Sequence, residues 1–390
     1  LPIFAVKLSD NVNDYEDEAR VLILGQCHAE EIYGVEIAME IIECYLNPVQ
    51  CFNDFGTLHE YLSEVLQKSL EKVELWVVPT HNPEGLRVVH GYCDDGNSAT
   101  KTDCNINNGN WIEDSTYRKN IRDINNNNTF IEGIDYNSIV GYDEDGVDLN
   151  RNYDIHWIHG DPHLHNSSSS NSCYDDDYDK YRGSYPFSET EIQAVKNIAL
   201  DKSFFLSIAY HSSRSGVIAE KIVFPWGWKD SGQSDSYRKE SPDYSVIYIL
   251  GEEIKNILSF GDDALKPQKS RTGNAHDWLY RETGCIQYLI EVGEFNYQGC
   301  YPGASGFMSI NDEFLIDDKL NETIGENIEA FFYLLMNAIG EDITGAKDLK
   351  LSHLTGIVRN LEGNPIEDAI VRILEMDGLV LKPRITDKFG

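Results

Sequence analysis

Basic residues are scarce in this chain of 390: Lys and Arg number 32 against 66 Asp and Glu, a formal charge of −34. So acidic a surface repels phosphate backbones, which removes nucleic acid from the expected partners and leaves cationic peptides as the class it would attract. Long apolar runs are also lacking. The longest mostly apolar stretch, Ala330–Met336, falls far short of the roughly 20 residues of a membrane span, so no membrane partner is expected. No CxxC pair occurs among the eight cysteines, which disfavours a zinc ribbon or a thioredoxin-type redox motif. No basic segment followed by an apolar run stands at Leu1, so an export signal is expected to have been removed or never included. There is no internal repeat.

What is present is enough for a large core. Hydrophobic residues make up 41% of the chain, and a prior of roughly 150 residues per domain allows two domains or one large α/β domain with a small module. Val21–Gly25 is a continuous apolar run of the kind that forms a buried parallel strand, and Ile32, Val35, Met39 and Ile42 follow at helical spacing. A helix over about 58–70 and a strand at Val73–Val78 complete a β-α-α-β rhythm, which predicts an open, mixed, twisted sheet with helices on both faces. From about 80 to 185 Asn, Asp, Ser and Gly dominate, a length of irregular chain that compact domains keep for loops that build a site. Regular pattern then returns: an S-x-x-E capping box at Ser188 and Glu191, strands at 204–210, 217–224 and 285–292, and helices over 244–258 and 322–339. After Gly345 the pattern turns short and β-rich around a turn at Gly363–Pro365, the start of a β-sandwich with too few strands to close. The domains expected are therefore 1–345 and a truncated module at 346–390.

The even cysteine count favours an oxidising, extracytoplasmic compartment, with Cys93–Cys104 and Cys285–Cys300 near enough in sequence to bridge local loops and Cys27 a buried thiol.

His28 and Glu31 stand three apart where a buried strand gives way to a helix, at the sheet edge where open α/β folds bind ligands. A catalytic zinc needs three protein ligands and one open position. His211 ends one apolar strand and can supply the third ligand; Glu291, embedded in YLIEVG, ends another, and a lone carboxylate in such a place must be paired or functional. A second HxxE, His81–Glu84, contains Pro83 and reads as a loop. The run His156, His159, His163, His165 reads as a solvated loop, since Gly160 and Pro162 leave nothing rigid to preorganise ligands. Asp and Asn clusters at Asp103–Asn108, Asp123–Asn128 and Asp175–Asp179 suggest a loop-stabilising calcium ion, though none has the full EF-hand spacing.

Over roughly Pro2 to Ile339 the sequence resembles the carboxypeptidase A-like zinc metallocarboxypeptidases, through HAEE at His28–Glu31, NPEG at Asn82–Gly85, RKN at Arg118–Asn120, GVDLNRNY at Gly146–Tyr153, YHS at Tyr210–Ser212, HDWLY at His276–Tyr280 and IEVG at Ile290–Gly293. The resemblance implies one zinc on His28, Glu31 and His211, with Glu291 as general base and acid. It implies Arg118 as stabiliser of the oxyanion, and Asn150 with Arg151 as the clamp on the substrate's C-terminal carboxylate. The expected substrates are peptide or protein C-termini, and the expected state is a secreted monomer.

Two features depart from the family pattern. Lys269 stands where a mobile Tyr is usual, so that Tyr280 or another loop residue substitutes or that hydrogen bond is absent, and His276 occupies the position before Asp277 that lines the side-chain pocket in the family. The tail from Thr355 resembles the start of a transthyretin-like module, and Leu1–Leu8 resembles a second strand of the domain, implying a missing helix and strand before it. The rival functions are a zinc amidohydrolase or deacylase acting on acylated amino acids, and a secreted binding homologue that has lost catalysis.

Overall fold

Eight residues of almost unbroken apolar chain, Ala19–Gln26, form a central strand because neither face of it meets water. Val21 and Ile23 enter one hydrophobic cluster, and Leu22 and Leu24 enter another on the opposite face. In a computed structural model of the chain the strands in order are β1 (Val6–Leu8), β2 (Ala19–Gln26), β3 (Val73–Thr80), β4 (Tyr92–Cys93), β5 (Trp111–Ile112), β6 (Leu206–Ser212), β7 (Lys221–Phe224), β8 (Gly227–Trp228), β9 (Lys239–Glu240), β10 (Leu265–Pro267) and β11 (Ile286–Val292), with a short pair β12 (Ile370–Val371) and β13 (Arg384–Ile385) near the end. The structure describes residues 1–14, 18–48, 51, 66, 68–94, 96, 100–107, 109–114, 117–124, 126, 145–157, 180–212, 220–228, 234, 236, 238–269, 272–292, 313–338, 357–371 and 384–385.

Seven strands make one sheet in the order β1-β3-β2-β6-β11-β7-β10. The four central strands β3, β2, β6 and β11 run parallel, whereas β1 and β7 pair antiparallel to their neighbours, which is the mixed sheet the sequence predicts. Parallel strands need covering on both faces. The helices Tyr33–Leu46, Tyr244–Ile257 and Glu313–Ala338 pack on one face through Ile37, Ile41, Leu250, Ile254, Ile328 and Phe331. On the other, Thr190–Lys202 and Ala275–Thr283 contribute Ile192, Val195, Trp278 and Leu279. All four parallel strands deliver their carboxyl ends to the same sheet edge, so residues following Gln26, Thr80, His211 and Glu291 become neighbours there.

Local chemistry overrides two sequence expectations. The stretch at His81–Glu84 is no loop: Pro83 opens a helix, Pro83–His90, where its missing N–H costs nothing, and Asn82 caps it by accepting from the Gly85 N–H at 3.0 Å. The capping box at Ser188 and Glu191 does not form, because the Ser188 hydroxyl donates to Glu189 Oε1 and accepts from Asn152 Nδ2, leaving Thr190–Lys202 with no side-chain cap bond. Most of the helix expected over 58–70 lies outside the described residues, as do His159, His163 and His165, the cluster at Asp175–Asp179, and Cys300. Disulfides join Cys93 to Cys104, as expected, and Cys44 to Cys51; Cys27 is a buried free thiol whose pKa burial raises well above the usual thiol value. Near the C-terminus the turn at Gly363–Pro365 closes a bridge between Arg359 and Pro365, with β12 and β13 paired antiparallel beyond it.

Candidate active site

The strand end after Gln26 is pinned by close packing. A Cβ on Gly25 would lie 1.9 Å from the Pro79 carbonyl oxygen and 2.8 Å from that of Gly34, so only glycine lets β3 and the first helix approach the turn that carries His28 and Glu31. That turn closes through the Glu31 N–H donating to the His28 carbonyl at 3.1 Å, and both side chains point to one place.

There they meet His211, from the end of β6. His28 Nδ1 lies 2.8 Å from Glu31 Oε1, His211 Nδ1 lies 2.7 Å from Glu31 Oε2, and the two Nδ1 atoms are 3.1 Å apart. All three side chains are buried. A tetrahedral cation bound at about 2.0–2.1 Å separates its ligand atoms by about 3.3 Å, so these distances fall only a few tenths of an ångström short of that spacing. Two imidazole nitrogens aimed at each other and at one carboxylate are what a borderline metal such as zinc accepts, and the set fits it. The other group of possible ligands among the described residues, Cys93, Asp94 and Cys104, has both sulfurs in a disulfide. Calcium finds no support: Asp103 receives the Thr100 hydroxyl and Asp94 binds Asn110, both as ordinary loop bonds.

Asp148 organises what surrounds the triad. Its Oδ1 sits 3.1 Å from His28 Nε2, so a proton there leaves the Nδ1 lone pair facing the other ligands. The same oxygen accepts from the Asn150 N–H at 3.0 Å, and Oδ2 accepts from Arg118 Nε at 3.2 Å. Arg118 also donates from Nη1 to Glu31 Oε1 at 3.1 Å, placing a buried guanidinium against the triad. The fields follow. Despite burial, the two histidines and their hydrogen bonds hold Glu31 well below the usual carboxylate range. Burial is likewise outweighed at Asp148, where Arg118, Arg151 and His28 lower the pKa. At His28 burial and Arg118 push down, but Glu31 and Asp148 win and the value rises; at His211 burial wins and it falls.

Glu291 stands beside His211 because β11 and β6 pair in parallel register, Glu291 opposite His211. Its Oε2 is enclosed and has no hydrogen-bond partner among the described residues, and burial, with the charge of Glu31, pushes its pKa up to about 8. Arg151 extends from a turn, Leu149–Arg151, that Asp148 caps; its Nη1 donates to the Asn150 carbonyl, while Nε has no partner. Asn150 Oδ1 accepts from the Ala275 N–H at 2.9 Å, tying that turn to the start of the Ala275–Thr283 helix and to His276.

Tyr280, expected to contact substrate, is buried and bonded to Asp243. Its hydroxyl donates to Asp243 Oδ2 at 2.5 Å and accepts from the Asp243 N–H, and its ring packs edge-on against Trp226 in the main core. Two residues escaped the sequence reading. Asp148 was visible within GVDLNRNY, and an acid beside Asn and Arg in a polar loop was a usable signal. His81, buried with no partner for Nδ1, has its pKa lowered to about 3 by burial and by His211 and His28, and only the pairing of β3 with β2 puts it near them.

Residues 1–315 match the zinc carboxypeptidase family, peptidase M14. Among curated relatives the chain is 27% identical over 228 residues to the mast cell carboxypeptidase A of Rattus norvegicus, covering 56% of this chain and 41% of that one. It is 21% identical over 301 residues to the inactive metallocarboxypeptidase ECM14 of Uncinocarpus reesii, covering 72% and 41%. The chain thus spans about two fifths of the length of these two relatives. Among solved structures, thrombin-activatable fibrinolysis inhibitor superposes with a TM-score of 0.54 at 18% identity over 87% of this chain and 66% of that one. The bovine protein in complex with tick carboxypeptidase inhibitor gives 0.51 at 19% identity over 87% and 86%. At that identity the likeness establishes a shared fold. Together with the family match it means that the chain belongs to the zinc carboxypeptidase family.

Proposed function

We propose that the protein is an active, secreted zinc metallocarboxypeptidase that hydrolyses the C-terminal peptide bond of peptides or proteins. The observation that carries this is the enclosed Glu291 Oε2, without a hydrogen-bond partner among the described residues, beside the convergent His28, Glu31 and His211. When bound, zinc supplies a Lewis acid and lowers the pKa of water to about 7. Glu291 takes the proton of the attacking water and returns it to the leaving amine; a pKa already raised by burial suits a group that must both accept and release a proton near neutrality. Arg118, held against the triad by Asp148 and Glu31, presents a fixed cation to the developing oxyanion. Arg151 and Asn150 receive the terminal carboxylate, for which a planar guanidinium offers two parallel donors that a lysine cannot copy.

Glu291→Gln should retain near-stoichiometric zinc and lose about 10²–10⁴-fold in turnover. Full activity of that variant on a blocked C-terminal dipeptide would remove the assignment. The relative named inactive makes a binding homologue the rival reading; the complete ligand set together with Glu291 favours catalysis. An amidohydrolase would cleave N-acyl amino acids in preference to longer peptides, which a direct comparison of the two substrates decides. Two disulfides support an oxidising compartment. The catalytic unit is taken as 1–345, and the paired β12 and β13 support a β-sandwich module beginning after it.

A further inference from the structure

We propose that His276 selects substrates whose C-terminal residue carries an uncharged side chain able both to donate and to accept a hydrogen bond, namely the carboxamides of glutamine and asparagine. This rests on the carboxypeptidase reading above and names the substrate class of that same site.

Three ties fix His276 beside the turn that would hold the terminal carboxylate. The Ala275 N–H donates to Asn150 Oδ1 at 2.9 Å, and the Tyr153 N–H donates to the Gly273 carbonyl at 3.0 Å. Gly273, at φ +69°, passes so close to the Arg151 carbonyl that a Cβ would come within 2.7 Å of its oxygen. Asn274 then caps the helix by accepting from the Asp277 N–H, so the imidazole projects from a first turn whose backbone is held on both sides.

His276 is 2% exposed, and neither of its ring nitrogens has a hydrogen-bond partner among the described residues. Asp277 Oδ1, 3.8 Å from His276 Nε2, is also without one. A buried polar group left unpaired carries its full desolvation penalty, and an apolar residue here would avoid it if the terminal side chain were apolar. Burial and then the charges of His211 and Arg151 lower the His276 pKa to about 3, while burial raises the Asp277 carboxyl well above its usual value. His276 is therefore neutral near pH 7, and the ring offers one N–H and one lone pair. A carboxamide meets both. Leucine or phenylalanine leaves both nitrogens bare, and lysine or glutamate buries a charge beside an uncharged ring.

The test is a set of peptides with one common body and C-terminal Gln, Asn, Leu, Phe, Lys or Glu, read as kcat/KM with the full chain. The same peptides are titrated against zinc-loaded Glu291→Gln for affinity without turnover. Glutamine or asparagine should exceed leucine by about 10-fold or more in both readouts. His276→Leu should reverse that order, and His276→Gln, which keeps a donor and an acceptor, should preserve it. Preference of the wild-type chain for Leu, Phe, Lys or Glu overturns the proposal whatever the variants do, as does an unchanged order in a folded His276→Leu. Hydrolysis of every peptide at equal rates overturns it while sparing the peptidase reading. Carboxamide-selective binding with no hydrolysis of any peptide overturns the peptidase reading and upholds the selectivity.

Discussion

Asp148→Asn tests the electrostatic frame of the site more sharply than removal of His28, Glu31 or His211 would, because Asp148 stands outside that triad yet bonds His28, Arg118 and the Asn150 N–H. The amide is nearly isosteric and can still accept one bond at Oδ1, so His28 and the Asn150 N–H keep a weaker neutral partner. The lost charge is felt at His28 Nε2, where the carboxylate raises ligand basicity, and at Arg118, whose Nε and Nη2 lie 3.2 and 3.1 Å from Oδ2. Loss of the orienting partner of a metal-bound histidine costs about 10–100-fold in metal affinity, or about 1.4–2.7 kcal/mol. Breaking a buried ion pair costs about 3–5 kcal/mol of fold stability, and the lower end applies here because Arg118 keeps Glu31 at 3.1 Å. Competition with a chromophoric chelator measures the first quantity, and denaturant unfolding of the metal-free protein the second. Asp154→Asn, which removes an equal charge from a half-exposed pair with Arg281, is the control and should move neither. Zinc affinity within twofold of the parent, with unchanged unfolding, would refute the reasoning.

Three further outcomes are expected. Because the folded pKa of His276 lies near 3 and its unfolded value near 6.5, the unfolded chain binds the extra proton between those limits; metal-free stability should therefore fall with pH below 6.5, this residue contributing about 1.4 kcal/mol per unit. Denaturant titrations from pH 7.5 to 5 should be shallower in His276→Gln by about one proton, and equal slopes would contradict it. Gly25→Ala should destabilise by about 1–3 kcal/mol or prevent folding, since the added methyl meets backbone on two sides; a thermal midpoint equal to the parent's would count against the packing described. Replacing Cys93 and Cys104 by serine, which opens a bridge spanning 11 residues, should cost about 2–3 kcal/mol against the parent, as read from denaturant unfolding without reductant.

Much of the sheet was legible because strands buried on both faces spell themselves out as mostly apolar runs, as VLILG does without a break and VELWVV with only Glu74 interrupting it. Their end residues His28, His211 and Glu291 were likewise readable, since polar groups closing such runs have few places to go. What could not be read was whatever depends on side-chain bonds across the loops. Ser188 carried a capping signal, but Asn152 and Glu189 claimed its hydroxyl. Tyr280 stood in the HDWLY motif beside His276 and Asp277, yet its hydroxyl is taken by Asp243. His81 lay in a segment dismissed for its proline, and that proline sits where a helix begins.

The parallel pairing of β11 with β6 has a further meaning for how such a protein can diversify. A slip of one residue would swing Glu291 to the opposite side of the sheet, so the separation between its carboxylate and His211 is stored in main-chain ladders and resists drift. Asn150 and His276 hang instead on a capped turn and a helix start, joined by a few main-chain bonds. Substitutions on that side can therefore accumulate without shifting the strands that carry His211 and Glu291.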